Sequence, residues 1–332
     1  MKRGIAILIL ALVTVIGAGS VDYAVAQKPT KEEKRHERER KIAEKATRAT
    51  ELRVKEGKRP SYNKLLRSTN YELMWREGLV YYNATKKKDA TRNTSSNYQK
   101  AQNLFTGAYQ SQFFAGKPQE DSLLYYLGAS YYKDGIFEAS EQYFDRFRRL
   151  FPSSAFIEDV EYMYAMGFYF SSPKPELDQT NTLRAMIEIG EYQGRYPNTV
   201  KSKEIAERME ELQQKLYTKS YDNAKLYYTI GQYKAAAMAM DNAIDENPAS
   251  PYREELMYLA TKSSYLFAKN SVASQMTDRY LDMMDDYYNL ISEFPATAHL
   301  REVEKMRDEA TEHISKHTQQ DEITPQNGNQ EE

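Results

Sequence analysis

The chain has 332 residues, of which 41% are hydrophobic and 28% are charged, so it is long enough and apolar enough to bury a sizeable core. Its formal net charge of -2 excludes binding to nucleic acid by overall electrostatic attraction. The sequence contains no cysteine, which excludes disulfides, thiolate metal sites, cysteine nucleophiles and lipid attachment through a cysteine thioether.

The first 26 residues have the features of an export signal. Two basic residues precede the apolar run GIAILILALVTVIGA, and Ala24-Val25-Ala26 forms a small-x-small cleavage site before Gln27. We predict a cleaved signal peptide over residues 1–26. The alternative is an uncleaved membrane anchor, because the uncharged run 4–21 has 18 residues, the minimum for a membrane span. With either outcome the folded part lies outside the cytoplasm.

Residues 27–60 form a basic arm with little apolar content. Between residues 27 and 59 there are 13 Lys or Arg and 7 Glu. Three pairs have the i,i+4 spacing that stabilises a helix, and they are Glu37 and Lys41, Glu44 and Arg48, and Glu51 and Lys55. We predict one exposed helix from Glu32 to Glu56. This arm acts either as a solvated spacer or, within residues 28–59, as a contact with an anionic membrane surface or an acidic partner.

The first predicted helical hairpin begins near residue 61. Its first helix is expected over 71–83, with Asn70 as N-cap, and its second helix is expected from Tyr98. The polar, basic insertion TKKKDATRNTSS between them is expected to protrude.

The second hairpin carries the residue pattern of one tetratricopeptide (TPR) repeat over 123–152. The matching positions are Leu127, Gly128, Tyr131, Phe137, Phe144 and Pro152. Gly128 is expected to let the second helix approach the first closely, with Tyr131 and Phe144 buried. Pro152 ends the second helix because it has no N–H to donate.

The ending of this hairpin recurs along the chain. A residue of the expected second helix lies 15 positions before a proline four times, in the pairs Phe137 and Pro152, Thr182 and Pro197, Tyr233 and Pro248, and Tyr280 and Pro295. Four helices that end alike predict an all-α fold, a TPR superhelical solenoid of about five helical hairpins over residues 61–316.

The later hairpins have their own features. Gly167 is expected to be a second close-approach glycine, and one long helix is expected from 201 to 230, where Gly231 ends it. An insertion, NSVASQMTD, is expected in the fifth hairpin. A capping helix over 298–316 and a disordered polar tail over 317–332 complete the chain.

The sequence predicts no catalytic, cofactor or metal site, and we expect no enzyme. It has no HExxH, GxSxG or P-loop motif. His313 and His317 have a spacing that can hold zinc, but they lack a third ligand and are expected at an exposed helix end. The carboxylates of Asp282, Asp285 and Asp286 are expected on a solvated helix face. A helical solenoid with this composition is typical of a binding scaffold.

The repeats resemble the BamD family, the periplasmic helical component of the β-barrel assembly machinery of Gram-negative bacteria. The resemblance covers about residues 62–312 and is carried by YYKDGIFEASEQYFDRFRRLFPSSAFIEDVEYMYAMG, LDQTNTLRAMIEI and KLYTKSYDNAKLYYTIGQYKAA. The stretch YNKLLRSTNYEL is similar to the start of Bacteroidota-type members. The chain departs from the family in lacking the lipid-bearing cysteine.

This resemblance implies a non-enzymatic scaffold without cofactor, located in the periplasm at the inner face of the outer membrane. It implies that the amino-terminal repeats bind unfolded outer-membrane proteins. The groove that binds them is expected to be lined by aromatic side chains outside the core, and the candidates are Tyr82, Tyr98, Tyr125 and Tyr132. For each of these four residues the alternative is packing between repeats.

The resemblance also implies that the carboxy-terminal repeats dock on the periplasmic domains of a BamA-like barrel subunit. The candidates there are Arg301, Lys305 and Arg307. The alternative function is that of a periplasmic TPR adaptor for cell-envelope or peptidoglycan enzymes, and no nucleic-acid partner is expected.

Overall fold

The computed structural model describes residues 30–84 and 94–323, and all regular secondary structure within them is helical. The helices of these described residues are α1 (Lys31–Lys55), α2 (Tyr62–Leu65), α3 (Tyr71–Ala84), α4 (Thr94–Gln110), α5 (Glu120–Lys133), α6 (Phe137–Leu150), α7 (Ile157–Ser171), α8 (Thr180–Arg195), α9 (Ser202–Thr229), α10 (Tyr233–Glu246), α11 (Arg253–Lys269), α12 (Ala273–Glu293) and α13 (Leu300–Ile323). The predicted export signal, most of the first insertion and the last nine residues lie outside the described residues. None of these helices is both long enough and apolar enough to span a bilayer.

The chain forms two compact units, one up to Asn70 and one from Tyr71 onwards. The first unit contains the predicted arm helix, α1, which packs on the short helix α2. A capping box starts α1, since Thr30 Oγ1 accepts from the Glu33 amide and the Glu33 carboxylate accepts from the Thr30 amide. Residues 61–70 group with the arm, so the first unit extends ten residues beyond the boundary expected at residues 60 and 61.

The second unit is the predicted solenoid. Its helices pair in sequence as five hairpins, α3 with α4, α5 with α6, α7 with α8, α9 with α10 and α11 with α12. Each hairpin also packs on the next one, and α13 packs on α11 and α12 at the end. This confirms the all-α, TPR-like fold, in which each hairpin buries apolar surface against its neighbours.

Glycine and phenylalanine set the close approach within the first two hairpins. A Cβ added at Gly128 would lie 2.7 Å from the ring of Phe144, and one added at Gly78 would lie 2.4 Å from the ring of Phe105. Both rings are fully buried. The prediction for Gly167 is wrong, because a Cβ there would meet only an ordinary contact at 3.9 Å.

Tyr131 departs from the TPR expectation. It is half-buried and stacks on Tyr143, with ring centroids 5.4 Å apart, whereas full burial was expected. The turn between α5 and α6 contains Gly135, whose positive φ of +78° ends α5.

Three helix boundaries differ from expectation because polar residues continue a helix as well as apolar ones do. Helix α4 begins at Thr94, before the start expected at Tyr98. Helix α12 begins at Ala273, so the insertion expected in the fifth hairpin is reduced to residues 270–272. Arg279 holds the start of α12 against the preceding helix, since its guanidinium lies over the Phe267 ring. Helix α13 continues to Ile323, so the tail does not begin at residue 317.

The loop between α7 and α8 is organised around one buried amide. Gln179 is 6% exposed, and its Nε2 donates to the carbonyl oxygens of Lys174 at 2.8 Å and Leu177 at 3.0 Å. Asp178 Oδ1 accepts from the Thr180 amide at 3.0 Å, which starts α8. From the long helix α9, Lys219 Nζ donates to Leu177 O at 2.8 Å. The LDQTNT turn is therefore a rigid connection between repeats.

An ion-pair network joins the second and third hairpins. The Arg148 guanidinium lies 3.3 Å from Glu188, 3.8 Å from Glu161 and 3.7 Å from Glu191, and it covers the Tyr164 ring. Glu161 and Glu188 are both buried, with 7% and 6% of their surface exposed. Buried carboxylates need such partners, so the network fixes α6 against α7 and α8.

Candidate functional site

The predicted groove tyrosines lie in the first two hairpins, but they do not share one environment. Tyr82 is on α3, Tyr98 is on α4, and Tyr125 and Tyr132 are on α5. The structure brings Tyr82 and Tyr125 into contact with Tyr126, a residue that was not among the candidates, and it packs Tyr98 against Tyr82. Tyr132 lies in a separate aromatic cluster.

Tyr82 is a core residue. It is 6% exposed, and its ring makes edge contacts with Tyr98 at 5.8 Å and with Tyr126 at 5.1 Å between centroids. Burial raises the pKa of Tyr82 well above its usual range. This burial favours the packing alternative for Tyr82, and it leaves Tyr98, half-buried against the Tyr82 ring, in a packing position.

Tyr125 is half-buried on α5, where the second hairpin meets the start of the third. Its ring stacks on Phe156 with centroids 4.4 Å apart and planes 19° apart, and it contacts Tyr126 at 4.9 Å. Burial, and secondarily the Asp159 carboxylate, raise the pKa of Tyr125 to about 12. The side chain is neutral at physiological pH, as an unperturbed tyrosine is, and it presents a hydroxyl beside an aromatic surface.

Tyr132 belongs to an aromatic ledge that we define as Tyr132, Phe137 and Phe170. Phe137 and Phe170 stack with centroids 5.3 Å apart, and the Tyr132 ring meets their edges at 5.6 and 6.2 Å. Phe170 is 50% exposed, which is unusual for a phenylalanine in a packed aromatic cluster. The ledge spans α5, α6 and α7, so an extended partner could contact two hairpins at once.

Charged groups accompany these rings. Lys201 Nζ lies 2.7 Å from Asp159 Oδ1 and 4.3 Å from the centroid of the Tyr162 ring. Burial, followed by the nearby Glu204 carboxylate, raises the pKa of Tyr132. The first helices of consecutive hairpins, α5, α7 and α9, therefore present aromatic rings, tyrosine hydroxyls and carboxylates to the same region.

Sequence reasoning missed Tyr126, Phe156 and Phe170. Tyr126 is adjacent to Tyr125 in LLYYLG, and the pairing of two tyrosines was the available signal. Phe156 immediately precedes α7, and no helical periodicity includes it. Phe170 lies in the last turn of α7, where a core assignment was the natural expectation.

The three docking candidates at the end of the solenoid differ in availability. Arg301 and Lys305 are exposed on α13, and the Lys305 side chain is 78% exposed. Arg307 is bound internally, because it donates to Tyr287 Oη at 3.1 Å and to Asp308 Oδ1 at 2.7 Å. Arg307 therefore holds α13 against α12, and Arg301 and Lys305 remain as the docking candidates.

The carboxylates of α12 do not share the expected solvated face. Asp282 and Asp285 are exposed as expected, but Asp286 is half-buried and accepts from Ser264 Oγ at 2.6 Å. It lines a cavity of about 530 Å³ between α10, α11 and α12, together with Asp241, Ile244, Asp245, Arg253, Met257, Ala260, Asn289, Ser292 and Glu293. Burial raises the pKa of Asp286 to about 6, and neighbouring carboxylates add to the effect while Ser264 opposes it.

The two histidines of α13 are not paired around a site. Their ring centroids are 6.5 Å apart, and His313 is half-buried beside Tyr280 at 5.1 Å, which corrects its assignment to an exposed end. Across the part of the chain that the structure describes, no group of three His, Asp or Glu residues could hold a metal ion.

These features define the class of the protein as a TPR-like helical-repeat protein with aromatic surfaces on its first helices. Residues 81–237 match a protein-family model, YfiO, described as an outer membrane lipoprotein. The matched segment runs from α3 into α10 and includes both aromatic clusters. Over this segment the chain is similar to BamD-like proteins, which supports the resemblance. No curated protein matches the chain.

Proposed function

We propose that this chain is a non-enzymatic scaffold in the assembly of outer-membrane β-barrel proteins, acting in the periplasm at the inner face of the outer membrane. The observation that carries the proposal is the match of residues 81–237 to an outer membrane lipoprotein family. That segment contains the aromatic ledge and the stacked pair Tyr125 and Phe156.

The aromatic ledge suits an unfolded barrel segment as its ligand. Strands of such barrels alternate apolar and polar residues and carry aromatic girdles, so an unfolded strand offers rings at regular intervals. Phe170, half exposed, offers a stacking surface. The carboxylates of Asp159 and Glu204 can accept hydrogen bonds from backbone amides of an extended chain.

The far end of the solenoid suits a folded partner. Arg301 and Lys305 are exposed on its last helix, and exposed charges at the rim of an interface set its association rate and salt dependence. We propose that they face the periplasmic domains of a BamA-like barrel subunit.

The experiment that tests the assembly role is purification of the chain from its native envelope under mild detergent. We expect a large β-barrel protein to co-purify. Recovery of peptidoglycan enzymes without any barrel protein contradicts the proposal and supports the adaptor alternative.

The client surface is tested by photo-crosslinking. A crosslinker at Phe170 should capture a peptide with the sequence of a barrel's last strand, whereas one at Ile187 should not. Ile187 is the matched control because it is 56% exposed and lies on the second helix of the third hairpin. Equal capture at both positions contradicts a specific groove.

The docking end is tested by charge reversal. Arg301→Glu with Lys305→Glu should weaken capture of the barrel subunit most strongly at low salt. Lys203→Glu with Lys234→Glu is the control, since it makes the same charge change at exposed positions on α9 and α10. Capture that is unchanged by the first pair removes these two residues from the interface.

Processing is tested by intact mass. We propose cleavage after Ala26, so the exported chain should begin at Gln27 and carry no acyl group. A chain that retains Met1 supports the membrane-anchor alternative.

A further inference from the structure

The arm helix α1 has two dissimilar faces. Ala46 and Thr50 are buried, with 8% and 0% of their surface exposed. On the far side lies a basic stripe, which we define as Lys34, Arg38, Lys41, Lys45 and Arg48. Its members are three or four residues apart, so they fall within an arc of about 80° around the helix. All five are exposed.

The glutamates of α1 do not neutralise this stripe. Glu37 pairs with Arg40 and with Lys41, and Glu39 pairs with Arg35. Glu44 pairs with Arg40 at 3.8 Å and not with Arg48, contrary to the expected i,i+4 pair. Within the described residues, Lys34, Arg38, Lys45 and Arg48 form no ion pair. The positive charge of these four residues is therefore uncompensated, and Lys41 alone in the stripe pairs with a glutamate of α1.

We infer that the basic stripe binds the surface of an anionic phospholipid membrane, with the axis of α1 parallel to that surface. The stripe runs from Lys34 to Arg48, about 21 Å along α1, and presents a cation at every turn over that length. Such a straight row matches a planar layer of lipid phosphates. Each phosphate attracts a nearby cation and does not require a particular binding geometry. Two exposed apolar side chains, Ile42 and Leu52, flank the stripe and can enter the headgroup layer.

The composition of the chain supports a membrane as the ligand. The matched family is described as an outer membrane lipoprotein, yet these 332 residues contain no cysteine that could carry a lipid. A row of cations supplies membrane contact by charge alone. The inference does not depend on the assembly role, because it concerns lipid and this chain only.

The test measures sedimentation of the exported chain with vesicles. We expect binding to mixed phosphatidylcholine and phosphatidylglycerol vesicles, little binding to phosphatidylcholine alone, and a loss of binding as salt rises. Replacing Lys34, Arg38, Lys45 and Arg48 by Gln should lower the partition coefficient by roughly 100-fold or more, because each basic residue near an anionic surface contributes about fivefold.

The matched control removes four charges elsewhere, with Gln replacing Lys174, Lys203, Lys234 and Lys316, all of them exposed. It should bind as the unmodified chain does. Circular dichroism checks that both variants keep their helices, and the salt dependence of the unmodified chain tests the inference without any variant. Equal loss in both variants, equal binding to neutral vesicles, or capture by polyglutamate without binding to vesicles overturns it, and the last result indicates an acidic protein partner.

Discussion

Gly128 and Phe144 meet more closely than any side chain at position 128 would allow. A Cβ on Gly128 would lie 2.7 Å from a ring carbon of Phe144, and that ring is fully buried. The same relationship recurs between Gly78 and Phe105 in the preceding hairpin. Each glycine thus determines how closely the two helices of its hairpin pack.

Gly128→Ala should destabilise the protein by about 1–3 kcal/mol, because the buried ring has no space into which it can move. Gly190→Ala is the control, since no atom lies within 4 Å of the added Cβ and the residue is exposed. That change should stabilise α8 by up to about 1 kcal/mol through helix propensity. Urea unfolding of both variants measures the difference, and equal effects contradict the close-approach role.

Phe144→Ala should cost roughly 3–5 kcal/mol, as truncation of a fully buried aromatic side chain does. The double variant Gly128→Ala with Phe144→Ala should cost less than the sum of the two single-variant costs. The methyl group added at position 128 fills part of the cavity that the Phe144 ring leaves. A double-mutant cycle in urea measures this coupling. A cost under about 1 kcal/mol for Phe144→Ala would place the ring outside the core.

Arg148→Met should destabilise the protein by about 3 kcal/mol, because it removes one partner from the buried carboxylates of Glu161 and Glu188. Arg149→Met is the matched control. Its side chain is 69% exposed and pairs only with Asp145, so its loss should cost less than about 1 kcal/mol. Thermal unfolding of the two variants compares neighbouring arginines directly, and similar melting temperatures would exclude a structural role for the network.

Asp286→Asn should stabilise the protein at neutral pH. The pKa of Asp286 is raised from 3.8 to about 6, so the folded state binds its proton more tightly than the unfolded state does. The contribution of this group to stability is therefore fully present below pH 3.8 and is lost as pH rises through about 6. Removing the charge should recover about 1 kcal/mol, allowing for partial solvent screening of a half-buried group.

Unfolding free energies measured across this pH range check the effect. The variant should lose less stability than the parent between pH 3.8 and about 6. Asp282→Asn, at an exposed position on the same helix, is the control and should leave the profile unchanged. A parallel shift of both profiles would show that Asp286 is solvated like its neighbours.

Gln179→Met should destabilise the loop between α7 and α8 by about 2 kcal/mol, because it removes the buried side-chain donor that bridges the carbonyl oxygens of Lys174 and Leu177. Among the described residues, these oxygens then keep only the Leu177 amide and Lys219 Nζ as donors. Hydrogen exchange should become faster in residues 172–179 and stay unchanged in α11. Asn181→Ala is the control, since that exposed amide makes one bond of 3.3 Å to Ser171 O.

The sequence by itself determined the helical hairpins. The signals were the spacing of Gly128, Phe137 and Pro152, and a proline that recurs 15 residues after an equivalent position in four second helices. These signals are local, because each operates within one hairpin. The arm helix and the long helix ending at Gly231 were predictable for the same reason. The first residues of α4 and α12 were not predicted, because the polar starts of these helices carry no apolar periodicity.

Only the tertiary structure decided which of these side chains are available for binding. Tyr82 and Tyr132 have similar sequence surroundings, yet the first is enclosed by rings from α4 and α5 and the second joins the partly exposed ledge. Arg148 pairs with carboxylates up to 43 residues away, and Asp286 accepts a hydrogen bond from a serine 22 residues earlier. Burial and charge pairing depend on how hairpins stack, and a periodic pattern within one helix does not specify its neighbours.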